Sequence, residues 1–106
     1  MPDYNKVILV GRLTKDPVVP NSDKELAFLS LAINRKYKSG EGWVEETTFI
    51  DDIVVFGKQA KVVSEHLSKG RAILVEGRLQ TRKEKDTGHS KLSIVMDSFN
   101  FLDSSK

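Results

Sequence analysis

The sequence predicts a small all-β barrel carrying one short helix, and three observations lead there. Apolar and β-branched residues gather in five segments, the clearest of them with a period near two. Turn residues separate the segments. The period changes to three and four in one stretch only, between the third and fourth segments.

Taken in order, the first segment covers residues 5–13. Val7, Ile8, Leu9 and Val10 are consecutive and Gly11 follows inside the run, where a glycine marks a bulge or a sharp bend. Val7 and Leu9 alternate with Ile8 and Val10, which leaves apolar side chains on both faces. The strand therefore suits an interface between copies of the chain, or burial within the barrel and under the helix. Asp16-Pro17 and Pro20-Asn21-Ser22-Asp23 are turn chemistry. The second segment, 26–37, puts Ala27, Leu29, Leu31 and Ile33 on one face and Phe28, Ser30, Ala32 and Asn34 on the other. Residues 38–42 read as a hairpin loop, and 44–56, rich in Thr, Val and Ile, as the third strand. Across 58–69, Ala60, Val63 and Leu67 form one stripe of an amphipathic helix, and Gly70 sits where a helix-ending αL glycine belongs. A fourth strand starts at Ala72 and runs through Gly77 towards Arg82. Asp86-Thr87-Gly88-His89 turns the chain into a fifth at 91–101. Five strands with one helix between the third and fourth is the OB-fold order, a Greek-key barrel that binds oligonucleotides and oligosaccharides. An SH3-like barrel or an open α+β sheet accommodates the same segments.

At 106 residues, with 39% apolar content, the chain is expected to form one domain spanning 1–106. Small domains bury little surface, so oligomerisation would help. Charged residues make up 30%, yet the net charge is only +2, too mild to announce a polyanionic partner without clustering. The absence of cysteine excludes disulfides, thiol redox chemistry and cysteine zinc sites. No secretory signal and no apolar run near the roughly 20 residues of a membrane span is visible, so a cytoplasmic protein is expected.

The cations do cluster. Arg35, Lys36 and Lys38 surround Tyr37 where the second strand meets its loop. Arg78, Gln80 and Arg82 share one face of the fourth strand, with Lys83 following and Leu79 facing the other way. Both stretches fit a groove that tracks phosphates, although a solvated sheet face has the same composition. The aromatics discriminate. Single-stranded nucleic acid exposes base faces that stack on flat rings. Tyr37 sits among cations, Trp43 in a polar loop, and Phe56 directly before Gly57-Lys58; Phe49 is open to stacking or packing. Phe28, Phe99 and Phe101 read as core or interface residues. Enzyme chemistry has little support: His66 and His89 stand apart, and no nucleophile or phosphate-cradling motif is present. Adjacent Asp51 and Asp52 point to opposite faces of a strand and read as solvated or turn carboxylates.

Asn5-Lys6-Val7-Ile8-Leu9-Val10-Gly11-Arg12-Leu13-Thr14-Lys15-Asp16-Pro17 resembles the opening of the bacterial-type single-stranded DNA-binding (SSB) family. Phe56-Gly57-Lys58-Gln59-Ala60, Ser64-Glu65-His66-Leu67-Ser68-Lys69-Gly70 and Val75-Glu76-Gly77-Arg78-Leu79 resemble that family at matching intervals. The resemblance covers nearly the whole chain. It implies an OB-fold, a homotetramer with a dimer as the smaller alternative, and DNA held by stacking and basic contacts in replication, recombination and repair, with no cofactor, no metal and a nucleoid-associated location. It places Tyr37 where the family often has a stacking Trp and Phe56 at a stacking Phe. Lys58, Lys69, Arg82 and Lys83 fall at basic positions, and Arg12 at a variable position after the first-strand glycine. An interaction module like the tail-less primosomal replication proteins is the alternative function.

Departures from the family pattern matter. Glu84 stands where many relatives place a stacking Trp. The run from Phe49 to Phe56 is one residue longer than usual in that family, and the loop around residues 20–24 slightly shorter. Strict alternation from Phe56 puts Ile50 rather than Phe49 on its face, and a β-bulge near Asp51-Asp52 would restore Phe49. The family usually continues into a linker and an acidic tip; with the sequence closing on Asp103-Ser104-Ser105-Lys106, tail-mediated recruitment of repair proteins is not expected.

Overall fold

The computed structural model describes residues 2–20, 25–84 and 86–102. The expected turn at 21–24, Lys85 and the C-terminal 103–106 lie outside the described residues. Five strands, β1 (Val7–Leu13), β2 (Leu26–Ser39), β3 (Gly42–Phe56), β4 (Ala72–Lys83) and β5 (Ser90–Phe101), close into a barrel in the order β1-β2-β3-β5-β4. The helix α1 (Lys58–His66) lies between β3 and β4 in sequence. The barrel confirms the OB-type order, and the two other sheet arrangements fall away.

Alternation builds the core. Ala27, Leu29 and Leu31 of β2, Ile53 and Val55 of β3, Ile73 and Val75 of β4, and Ile94 and Met96 of β5 are buried together. Each large apolar side chain withdrawn from water contributes about 1.5–3 kcal/mol. From α1 and the residue after it, Ala60, Val63 and Leu67 join the same cluster. The helix stops earlier than the stripe predicts. Leu67 is already extended, at φ −105 and ψ 146, because the chain must return to β1, where the Gly70 N–H donates to the Leu13 carbonyl. Gly70 has φ +92 and serves that return rather than ending the helix directly.

Two close approaches shape the strands. A Cβ on Gly11 would lie 2.6 Å from the Ala32 carbonyl oxygen, so the glycine lets β1 press against β2. A Cβ on Gly77 would lie 2.2 Å from the Val95 oxygen, at the register shift between β4 and β5. β1 pairs with β4 from Val7 to Arg12, and with β2 only at Arg12 and Leu13. The Asn5 side-chain amide extends the β4 ladder by exchanging two hydrogen bonds with the Leu79 backbone, at 2.8 and 2.9 Å.

β3 and β5 run parallel and pair only at Ile53–Ile94 and Val54–Val95. Beyond that short ladder the β2–β3 and β4–β5 hairpins project from the barrel separately. Their outer residues are largely exposed.

Candidate nucleic-acid interface

Register decides which side chains share a face. Leu29 pairs with Ile53, but Leu31 pairs with Ile50, so Asp51 and Asp52 together oppose Ser30. This is the β-bulge that the extra residue requires. Phe28 pairs with Val54 and Ala32 with Phe49. Phe28 and Ala32 have the same parity, so Phe49 rejoins the face of Val54 and Phe56. Trp43 and Lys36 follow on that face by continuous pairing towards the hairpin tip. Trp43 belongs to β3 rather than to the loop, because the turn is confined to Gly40 and Glu41. Phe49, Phe56 and Trp43 are 62%, 56% and 65% exposed.

The same register moves Tyr37. It pairs with Val44, on the face continuous with Leu31 and Ile33, together with Arg35, whose guanidinium carbon lies 4.6 Å from the Tyr37 ring centroid. One channel therefore does not hold both Tyr37 and Phe56: they lie on opposite faces of the β2–β3 hairpin. The alternation of β2 already carried this signal, since Tyr37 has the parity of Leu31. A strand touching both rings must pass around the hairpin.

From the other hairpin, Arg78, Gln80 and Arg82 pair with Val95, Ser93 and Lys91. They share a face, as alternation predicts, while Lys83 falls on the Leu79 side. Leu26, Phe28, Val54, Phe56, Gln80, Arg82, Ser93 and Val95 line an open groove of about 280 Å³. Phe28, expected in the core or at an interface, is half-buried and forms part of this wall. A neighbouring recess is lined by Phe49, Ile50, Leu79 and Leu92, with Asp52 and Ser93 at its edge.

Carboxylates offset several of the cations. Arg35 meets Glu46 at 3.1 Å and Lys36 meets Glu45 at 3.8 Å across the hairpin, and Arg78 meets Asp97. These pairs are about half exposed or more, so each contributes roughly 0–1 kcal/mol and yields readily to a competing anion. Arg82 differs, because its partner Asp52 is buried. The reading of Asp52 as a solvated carboxylate is thereby corrected: the barrel brings Arg82 and Ser93 to it from β4 and β5.

The remaining predicted cations sit around the barrel. Lys58 opens α1 two residues after Phe56 and is exposed. Lys69 follows the helix, its N–H bonded to Asp16. Beside it the Arg12 guanidinium donates to the Gly70 carbonyl at 3.1 Å, and Arg12 pairs with Ala32 in the row that leads to Phe49. Glu84 is held in the β4–β5 turn, where its backbone bonds to Gly88 and His89. Phe101 packs edge-on against Phe99 under Arg71, apart from the groove.

A family model described as the single-strand binding protein family matches residues 4–102. The chain belongs to that family. A single-stranded DNA-binding protein of Treponema pallidum is 41% identical over 102 residues, covering 94% of this chain and 57% of its own length. Single-stranded DNA-binding protein 1 of Streptococcus pyogenes is 41% identical over 105 residues, covering 95% and 79%. This SSB-family chain thus spans little more than half of the Treponema relative. Among solved structures, a Plasmodium falciparum SSB in complex with ssDNA superposes with a TM-score of 0.80 at 26% identity, covering 97% of this chain and 98% of that one. The small single-stranded DNA-binding protein from Streptomyces coelicolor shares the fold, with a TM-score of 0.68 at 23% identity over 92% and 93% of the two chains. Among the described residues no helix is long and apolar enough to cross a membrane, and no three His, Asp or Glu side chains gather as a metal site.

Proposed function

We propose that this chain, acting as one binding domain over residues 1–106, holds single-stranded DNA without reading its sequence, and protects and organises it during replication, recombination and repair. The observation that carries the reading is the exposed row of Trp43, Phe49 and Phe56 on one face of the β2–β3 hairpin, with Gln80 and Arg82 of β4 lining the open groove beside Phe56. Bases stack on the rings, and phosphates follow Lys36, Lys58, Arg78 and the basic corner of Arg12 and Lys69. Tyr37 and Arg35 extend the path around the hairpin, and Lys83 lines its far side. Membership of the family supports the same reading, as does the single strand bound by the Plasmodium falciparum protein. The activity is binding rather than catalysis, and its setting is the nucleoid.

We further propose a homotetramer built through β1. Ile8 and Val10 are 57% and 50% exposed, and one backbone edge of β1 between Val7 and Gly11 has no partner among the described strands. An antiparallel second copy of β1 would satisfy both the edge and the apolar side chains. Light scattering with and without a long oligo-dT tests the two proposals together. The expected result is a tetramer that gains the mass of the oligonucleotide and ignores a duplex of equal length. A monomer overturns the assembly, and a mass unchanged by oligo-dT overturns the function.

A further inference from the structure

Arg82 has the contacts of a fixed platform rather than of a phosphate clamp. Its Nη2 donates to both Asp52 carboxylate oxygens, at 2.8 and 2.9 Å, and Ser93 Oγ donates to the same carboxylate. The Asp52 side chain is 11% exposed, whereas that of Arg82 is 45% exposed. The acid is thus sealed in the groove floor and the guanidinium lies over it in the open cleft. The Arg82 guanidinium carbon also lies 5.4 Å from the Phe28 ring centroid. Arg82 therefore reaches from β4, across Ser93 of β5 and Asp52 of β3, to Phe28 of β2, just past the last β3–β5 ladder pair.

A buried carboxylate does not readily release its counter-charge, because an unpaired buried ion is strongly destabilising. A phosphate can draw Lys36 from the exposed Glu45, but it cannot draw Arg82 from Asp52. With its charge matched and the Nη2 hydrogens taken by Asp52, what Arg82 chiefly presents to a ligand is the flat guanidinium beside Phe56 and Gln80 in the groove wall, a surface on which bases stack.

We propose that Asp52, set in place by the β3 bulge, neutralises and immobilises Arg82 so that its guanidinium acts as a planar stacking site for a nucleobase rather than as a net positive charge for phosphate. Asp52 is then a positioning residue. The inference rests on the groove being the DNA site, and the controls separate the two.

The test compares oligo-dT affinity against salt for the intact chain and for Arg82→Lys, Asp52→Asn and Phe56→Ala. Arg82→Lys keeps the charge opposite Asp52, so the groove stays paired, but it removes the plane. Affinity is expected to fall roughly tenfold at every salt concentration with the slope unchanged. Asp52→Asn keeps the shape of the side chain and frees the Arg82 charge for phosphate, so the slope of log K against log salt steepens by about 0.7. Asp52→Glu, which restores the charge, returns the slope to its original value. Wild-type binding by Arg82→Lys, or an unchanged slope in Asp52→Asn, overturns the proposal while loss of binding in Phe56→Ala leaves the groove assignment standing. Unaltered binding in Phe56→Ala overturns both.

Discussion

Phe56 is the ring on which the residue-scale account turns. It ends β3 with more than half its surface exposed, in a groove wall shared with Phe28 and Arg82. An apolar ring left more than half exposed beside cations suits a base face better than a purely packing role. Phe56→Ala is predicted to weaken oligo-dT binding by about 1–3 kcal/mol while leaving the melting temperature nearly unchanged. A large loss of stability with little loss of affinity would make Phe56 a packing residue. Its exposure was legible in the sequence, because it directly precedes a glycine and a lysine. The role of Asp52 was not. Its partners come from β4 and β5, and only closure of the barrel brings them within hydrogen-bond reach. Phe28 was misplaced for a related reason: alternation assigns a side chain to a face, but not the curvature that turns an outer face into a groove.

The β3 bulge is the element-scale feature with the widest consequence. Phe49 and Val54 are five positions apart, and strict alternation would set them on opposite faces. Doubling Asp51 and Asp52 against Ser30 absorbs the odd residue and returns Phe49 to the groove face. Counting residues between motifs was enough to locate this irregularity, since side-chain parity is a local property of the strand. Deleting Asp51 should regularise the ladder, keep Phe49 and Asp52 on the groove face, and leave oligo-dT affinity close to that of the parent chain. Phe49→Ala serves as the reference for losing that ring, at roughly 1–3 kcal/mol. If the deletion costs as much as the Phe49 substitution, measured by the same equilibrium titration, the bulge does not do what the register implies. The end of α1 was harder to read. The stripe continues through Leu67, but the tertiary bond from Gly70 to Leu13 draws the chain away before another turn forms.

The whole molecule combines a net charge of only +2 with a surface on which Arg35, Lys36 and Arg78 already hold carboxylates. Long-range attraction for a polyanion is therefore modest, and binding depends on where the cations lie relative to the rings. Strand order was legible from the sequence because each segment carries its own period. How far the β2–β3 hairpin projects was not, because alternation gives the parity of Tyr37 but not that both faces of the hairpin meet solvent beyond the barrel. An unpaired strand passing over Trp43, Phe49 and Phe56 and around towards Tyr37 keeps its phosphates near several of these cations. The most direct measurement is equilibrium binding of oligo-dT across a range of salt concentrations. Log K is expected to fall linearly with log salt, with a slope of about −2 or steeper, equivalent to some three neutralised phosphates. A flat line would contradict it.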